Sequence, residues 1–378
     1  MKILVTGAKG FVGKNLSAEL MNIASGKRRK HPLEMPVELL RYDADDTEET
    51  LRAYCEEADI VVNLAGVNRP KDEREFMEGN AGFARELTGL LSKRKTPCPL
   101  ILSSSIQAEL DNPYGRSKLA AENAVMEYSE KTGAEVFIFR FPNLFGKWCR
   151  PNYNSVVATF CSNIANGLPI RVDDESKLLT LAYIDDVVEA IIECAAGQRQ
   201  PGRQQLSTVY EVSLGRLARL ISSFREDRAA LRVPDVSDPF VKKLYSTYLS
   251  YVPAEEAAVE AVTRSDERGS FTELLKLPHD GQISVNVCRP GCTKGNHWHH
   301  TKTEKFIVVS GSGVIEERRI DSGKITRIEV GGKAVCAVDM LPGFTHSITN
   351  TGEEDLVFII WANELFDPDR PDTFFETV

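Results

Sequence analysis

The sequence predicts a doubly wound α/β domain on a parallel sheet, followed by an all-β domain. Three observations carry this. The first half alternates short apolar runs with segments of helical periodicity, the pattern of strands whose crossover helices cover both faces of a sheet. Toward the C-terminus, strand-like runs follow one another through Gly, Pro, Asn and Asp turns, and no long helical period intervenes. The change falls between about Arg225 and Ser270, around the turn-rich stretch Pro234–Pro239.

The elements follow in order. Lys2–Thr6 reads as a buried strand, and Leu16, Leu20 and Ile23 give Lys14–Ile23 a helical stripe. Val37–Tyr42, Ile60–Leu64, Leu100–Ser104 and Glu135–Phe139 continue the strands, with helices at Ala81–Ser92 and Ser117–Tyr128. In the β half the runs are Ile283–Cys288, Phe306–Val309, Gly313–Arg318, Thr326–Val330, Ala334–Val338 and Leu356–Trp361. A chain of 378 residues has room for two such cores, expected over residues 1–250 and 262–378.

Composition excludes several classes. Lys and Arg number 46 against 55 Asp and Glu, a formal net charge of −9, so no broad basic face exists for nucleic acid or an anionic membrane. No apolar run approaches the length of a membrane span, and the N-terminus is too short in apolar residues for a signal-peptide core. The 8 cysteines are scattered without a Cys-x-x-Cys pair, which suits reduced thiols in a cytoplasmic protein.

Gly7-Ala8-Lys9-Gly10-Phe11-Val12-Gly13 is a G-x-x-G-x-x-G fingerprint between the first strand and first helix. Gly7 permits a tight turn, Gly10 lets backbone amides approach a pyrophosphate, and Gly13 allows close packing. The helix N-terminus adds positive potential. This is a Rossmann-type dinucleotide site. At the end of the second strand, Arg41 points to the extra phosphate of NADPH, while Asp43 is the type of residue that favours NAD.

Tyr114 and Lys118 stand at i and i+4, on one face of a helix. An ammonium beside a phenol lowers its pKa and fits it to donate a proton to a carbonyl under reduction. Ser103 and Ser105 share one face of the preceding strand, and Ser105, nearest its C-terminal end, is placed to hydrogen-bond the reacting oxygen.

Together these residues resemble the extended short-chain dehydrogenase/reductase family over roughly residues 1–250. Asn63-Leu64-Ala65-Gly66 is similar to its loop beside the cofactor, and Asn80 to its asparagine at the next helix. Tyr183-Ile184-Asp185-Asp186-Val187 resembles a late Val-x-Asp-Asp-Val segment. The resemblance implies cofactor contacts from Gly7, Gly10, Phe11, Val12, Gly13, Arg41, Leu64, Ala65, Gly66, Asn80 and Lys118. Arg140-Phe141-Pro142-Asn143-Leu144-Phe145-Gly146 is similar to the family's Arg-x-x-Asn-x-x-Gly segment. By that analogy Asn143, Lys147 and Arg171 face a nucleotide-sugar, and of the three only Asn143 belongs to the motif.

In the β half, His297 and His299 point to one strand face, and Glu304 and His346 complete a set of three imidazoles and a carboxylate. Such ligands suit zinc, iron, manganese or nickel, and one divalent ion, zinc by expectation, belongs here. From Gly291 to Gly311 the order Gly-x5-His-x-His-x4-Glu-x6-Gly resembles the cupin motif, a jelly roll. Pro342-Gly343-Phe344-Thr345-His346-Ser347-Ile348-Thr349-Asn350 resembles its second half with one residue missing between Pro and Gly.

A reductase followed by a cupin, with Gly295-Asn296-His297-Trp298-His299-His300-Thr301-Lys302 and Asn143-Leu144-Phe145-Gly146-Lys147-Trp148-Cys149, resembles the bifunctional epimerase–reductase family of bacterial capsular-polysaccharide synthesis. That resemblance implies a UDP-sugar substrate, UDP-2-acetamido-2,6-dideoxy-4-hexulose, and a homodimer. The cupin inverts C3, and the reductase then reduces C4 with NADPH to the L-talose sugar, en route to UDP-N-acetyl-L-fucosamine. His299, His300 and Lys294 are the candidate proton carriers for the first step. Two other readings stay open: a single-site reductase with a structural, dimerising cupin, and an NADP-binding regulator without catalysis.

Overall fold

The computed structural model describes residues 1–279 and 281–378. The chain divides into two compact units. The first holds residues 1–221 and 243–252; the second holds residues 222–242 and 253–378.

The first unit is built on β1 (Lys2–Thr6), β2 (Glu38–Tyr42), β3 (Ile60–Asn63), β4 (Leu100–Ser105) and β5 (Val136–Phe141). β6 (Asn143–Phe145), β7 (Leu178–Tyr183), β8 (Gly202–Gln204) and β9 (Tyr210–Ser213) follow. The main sheet runs β2-β1-β3-β4-β5-β8, every neighbouring pair parallel. Alternate residues feed two cores. Ile3, Val5, Ile60 and Val62 face helices Phe11–Ala24 and Ile184–Ala195. Leu4, Val61, Leu100 and Leu102 face helices Glu48–Glu57, Phe83–Leu91 and Pro113–Thr132. Burial on both faces explains why these strands are continuous apolar runs. The chain leaves β1 for β2 on one side and crosses to β3 on the other. The carboxyl ends of β1 and β3 therefore flank the point where connections diverge, the crevice in which open α/β sheets bind ligands.

Two local features differ from the sequence reading. The helix predicted at Ala81–Ser92 is preceded by a π-helical stretch, Met77–Gly82, so Asn80 lies inside it. β6, β7 and β9 form a separate small sheet that the alternation of apolar runs did not disclose.

The second unit begins its strands at β10 (Thr263–Asp266), β11 (Gly269–Leu277), β12 (Gly281–Cys288) and β13 (Thr293–Trp298). It continues with β14 (Glu304–Ser310), β15 (Ser312–Arg319), β16 (Ile325–Gly331) and β17 (Ala337–Met340). β18 (Phe344–Asn350), β19 (Leu356–Ala362) and β20 (Phe374–Phe375) complete it. One sheet runs β10-β11-β12-β19-β14-β17 and the other β16-β15-β18-β13-β20. A core of Phe306, Val308, Ile315, Ile348, Leu356 and Phe358 draws on strands of both sheets. The strand predicted at Ala334–Val338 forms later, at Ala337–Met340, because the Gly331-Gly332 turn reaches further along the chain. No helix among the described residues is long and apolar enough to cross a membrane.

Candidate functional site

At the end of β1 the glycine fingerprint is packed backbone to backbone. Gly7 has φ +66°, and a Cβ there would lie 2.7 Å from the Ala65 amide nitrogen. A Cβ on Gly13 would run into the Gly7 carbonyl and Ala8, so this glycine serves the closure of the loop on the helix rather than a contact with the strand. Gly10 caps helix Phe11–Ala24, whose first turn has no acidic residue to offset its N-terminal potential. Phe11 and Val12 form that first turn, and Val12 also packs on the core. A cradle that excludes even a methyl group from the backbone is what close approach of a pyrophosphate requires.

Beside the loop, a cleft of about 870 Å³ is lined by Ala8, Lys9, Arg41, Tyr42, Asp43 and Trp148. Asp43 accepts the Lys9 amide at 2.7 Å, so this carboxylate is engaged in holding the loop. The Lys9 ammonium, which the sequence reading passed over, pairs with Asp45.

The predicted polar residues converge around Gly66, next to Leu64 and Ala65. A Cβ on Gly66 would sit 2.7 Å from Asn80 Oδ1 and 3.0 Å from Lys118 Nζ. Asn80 holds this loop by accepting the Val67 amide at 3.0 Å and donating to the Val67 carbonyl at 3.1 Å. It also donates to Ser117 Oγ at 2.9 Å. The π-helical stretch is the device that turns Asn80 to this loop.

Lys118 is buried, and its ammonium donates to the Ser103 carbonyl at 3.3 Å and lies 5.8 Å from the Tyr114 ring centre. Burial pushes its pKa down to about 8, against the pull of Glu122 one turn on. Ser105, whose hydroxyl accepts the Gln107 amide at 3.2 Å, is the side chain that lowers the Tyr114 phenol. The phenol's pKa lies above the ordinary value, because burial outweighs the lowering from Ser105. The net lowering of Tyr114 expected from Lys118 is not found: burial raises the phenol and depresses the lysine itself, and the ammonium 5.8 Å from the ring centre does not outweigh that desolvation.

Asn143 is exposed at the start of β6, whose strand partner is β7. Lys147 pairs with Asp185 at 2.5 Å and Arg171 with Asp173 at 2.5 Å. Arg140 is committed inside the fold. It binds Glu122 through Nε at 2.8 Å and Nη2 at 2.6 Å, and Ser104 donates to the same carboxylate at 2.5 Å.

In the second unit, His297, His299, Glu304 and His346 each bring one ligating atom within 4.8 Å of the others. β13 supplies His297, β18 supplies His346 directly opposite it, and β14 of the other sheet supplies Glu304. A bulge between Gly295 and His297, with Asn296 at φ +63°, aims the ring. His346 is fully buried, yet neither of its ring nitrogens has a hydrogen-bond partner, and His299 Nε2 has none either. Leaving such groups unpaired costs about 1–3 kcal/mol each, and a bound cation would relieve the lone pair that each ring turns toward it. Burial, then the neighbouring His346, pushes His297 down to about 4, so its ring is neutral at neutral pH, the form that ligates. Burial alone would raise the Glu304 carboxyl; contacts from His299 and His346 and the charge of Lys302 hold it well below its ordinary value. The residues therefore fit a divalent ion with nitrogen and oxygen ligands. Of the three candidate proton carriers, Lys294 is engaged with the Ser270 carbonyl at 2.7 Å and His299 Nδ1 with the Asp372 carbonyl at 2.6 Å. His300 is exposed and packs edge-on against Trp298 and Phe374.

The pattern of the NAD dependent epimerase/dehydratase family matches residues 3–205, and that of the polysaccharide biosynthesis C-terminal domain matches residues 264–374. A UDP-2-acetamido-2,6-beta-L-arabino-hexul-4-ose reductase of Pseudomonas aeruginosa is 41% identical over 99% of this chain and 98% of its own. The crystal structure of the capsular polysaccharide assembling protein CapF from Staphylococcus aureus matches with a TM-score of 0.91. It is 44% identical and covers 100% of both chains. A UDP-N-acetylglucosamine 4-epimerase from Methanobrevibacter ruminantium, 19% identical with a TM-score of 0.52 over 66% of this chain and 98% of its own, shares the fold. The chain thus belongs to the NAD dependent epimerase/dehydratase family, in the branch that carries a polysaccharide biosynthesis C-terminal domain.

Proposed function

We propose that the chain is a two-site nucleotide-sugar enzyme of capsule or O-antigen synthesis, with a reductase over residues 1–250 and a metal-binding cupin over residues 262–378. The cupin epimerises C3 of UDP-2-acetamido-2,6-dideoxy-4-hexulose. The reductase converts the C4 ketone, with NADPH, to UDP-2-acetamido-2,6-dideoxy-β-L-talose. The observation that carries this is that one chain holds two complete polar constellations, each inside its own compact unit. The Pseudomonas relative, by name a reductase of a UDP-linked 4-hexulose, supports the substrate class.

Chemistry dictates the order. A C4 ketone acidifies the C3 hydrogen, so inversion at C3 has to precede loss of the ketone. At the cupin, His297, His299, Glu304 and His346 hold a divalent ion, which when bound supplies Lewis acidity toward the carbonyl. His300, in the loop after β13, and Lys294, on β13, provide groups to move the C3 proton.

At the reductase, Gly7, Gly10 and Gly13 cradle the pyrophosphate, and Arg41 binds the ribose phosphate of NADPH, which supplies the hydride when bound. Leu64–Gly66 and Asn80 form the wall beside the nicotinamide. Tyr114 donates its hydroxyl proton to the C4 oxygen while Ser105 hydrogen-bonds that oxygen. Lys118 stabilises the phenolate left behind. Asn143 contacts the nucleotide-sugar. Incubating the protein with NADPH and candidate UDP-4-ketosugars, and following NADPH oxidation and product stereochemistry, tests the reading. Oxidation with the 2-acetamido-2,6-dideoxy substrate and a talose product is expected; a product unchanged at C3 would refute the two-site account.

A further inference from the structure

Asp372 lies on the C-terminal segment, outside every motif discussed above, and takes the left-handed backbone conformation with φ +35°. Its carboxylate gathers the loop that carries the cluster. Oδ1 accepts the His300 amide at 3.0 Å, and Oδ2 accepts the amides of Thr301 at 2.9 Å and Lys302 at 2.8 Å. The Thr301 hydroxyl adds a longer bond at 3.3 Å. The same residue's backbone carbonyl lies 2.6 Å from His299 Nδ1.

These contacts set the ring. A carbonyl only accepts, so His299 Nδ1 must carry the proton and Nε2 must present its lone pair. That Nε2 is buried, lacks a hydrogen-bond partner and lies 3.7 Å from Glu304 Oε2. Lys302, whose amide the same carboxylate holds, places its ammonium 3.0 Å from the other Glu304 oxygen. The segment is tied on beyond Asp372. Phe375 pairs with His297 in the sheet, and the Glu376 amide donates to the Asn296 carbonyl at 2.9 Å.

We propose that Asp372 is the positioning residue of the histidine cluster: it fixes the loop 299–302 and the His299 tautomer, so that the C-terminal segment straps the ligand set into binding geometry. This rests on reading the cluster as a metal site. It concerns a residue some seventy positions away in sequence from the ring it orients.

The test uses the full-length, metal-stripped protein and Zn²⁺ in competition with a chromophoric chelator. Asp372→Ala keeps the backbone carbonyl but releases the three loop amides that fix it against His299, and should weaken zinc binding about 10–100-fold, the range for disturbing an outer partner of a ligating histidine. Asp372→Asn, which keeps one acceptor oxygen, should recover part of that loss. The exposed neighbour variant Arg370→Ala should bind as wild type does. Thermal unfolding of the metal-free proteins separates folding from positioning. Asp372→Ala binding zinc as tightly as wild type overturns the strap and leaves the metal site standing, whether or not its unfolding temperature falls. Should Asp372→Ala fail to fold, Asp372→Asn decides, and wild-type affinity there overturns the proposal. Absence of zinc binding by wild type removes the metal reading and the strap together.

Discussion

Around Tyr114 the polar groups find partners within the chain. Lys118 donates to the Ser103 carbonyl, and Asn80 binds both polar groups of Val67 and the Ser117 hydroxyl. Around His346 they do not: three buried imidazole nitrogens of the cluster have no hydrogen-bond partner. The difference teaches what each region awaits. The glycine cleft is a shape, closed by backbone contacts that forbid a Cβ. The histidine cluster leaves buried ring nitrogens unpaired, and a cation bound at their lone pairs would stabilise it.

The contrast breaks cleanly under mutation. His297→Ala has the largest expected effect: metal analysis of the purified protein should find the bound ion gone, while NADPH binding, followed by fluorescence, stays as in wild type. Joint loss of both would make the two regions one site. In the other direction, Tyr114→Phe should slow NADPH-dependent reduction by about 10²-fold or more and leave metal content untouched. Wild-type turnover from that variant would remove Tyr114 from the reductase.

Smaller effects sharpen the cofactor side. Arg41→Ala should cost NADPH about 1.5–3 kcal/mol of binding, the worth of a charge-assisted hydrogen bond, and barely change NADH. Equal losses for the two cofactors would make Arg41 a structural residue. Lys118 is expected to set the pH dependence. Its pKa of about 8 means that the ammonium is present below that pH and lost as pH rises through it. Since kcat/KM reports the free enzyme, the reduction rate should fall on an alkaline limb near pH 8. Lys118→Arg, which stays charged, should displace that limb upward; an unmoved limb would assign it to another group.

The two regions also differ in how far their sequence could be read. The glycine fingerprint, Tyr114/Lys118 and the His297–Glu304 segment are local, because a turn, a helix face and a strand edge each bring near neighbours together. His346 is remote, yet its place opposite His297 follows from pairing of β13 with β18. What escaped the reading depends on tertiary closure. The engagement of Asp43 with the Lys9 amide, the burial of Arg140 on Glu122 and the clasp of Asp372 on the 299–302 loop each join residues far apart in sequence with no spacing to announce them. The depression of Lys118 is of the same kind, since desolvation is a property of the packed fold. Asn296 was legible in retrospect: a Gly-Asn step inside a strand is a bulge signal.

The central claim is that the chain carries two separate catalytic sites, and hydrogen exchange at C3 tests it most directly. Proton NMR of the UDP-4-ketosugar in deuterated water, with metal-loaded protein and no NADPH, should show the C3 signal disappear. Tyr114→Phe should exchange it as fast as wild type, and His297→Ala should not exchange it. A C3 signal that persists with metal-loaded wild type would contradict the account and leave the β unit a structural role.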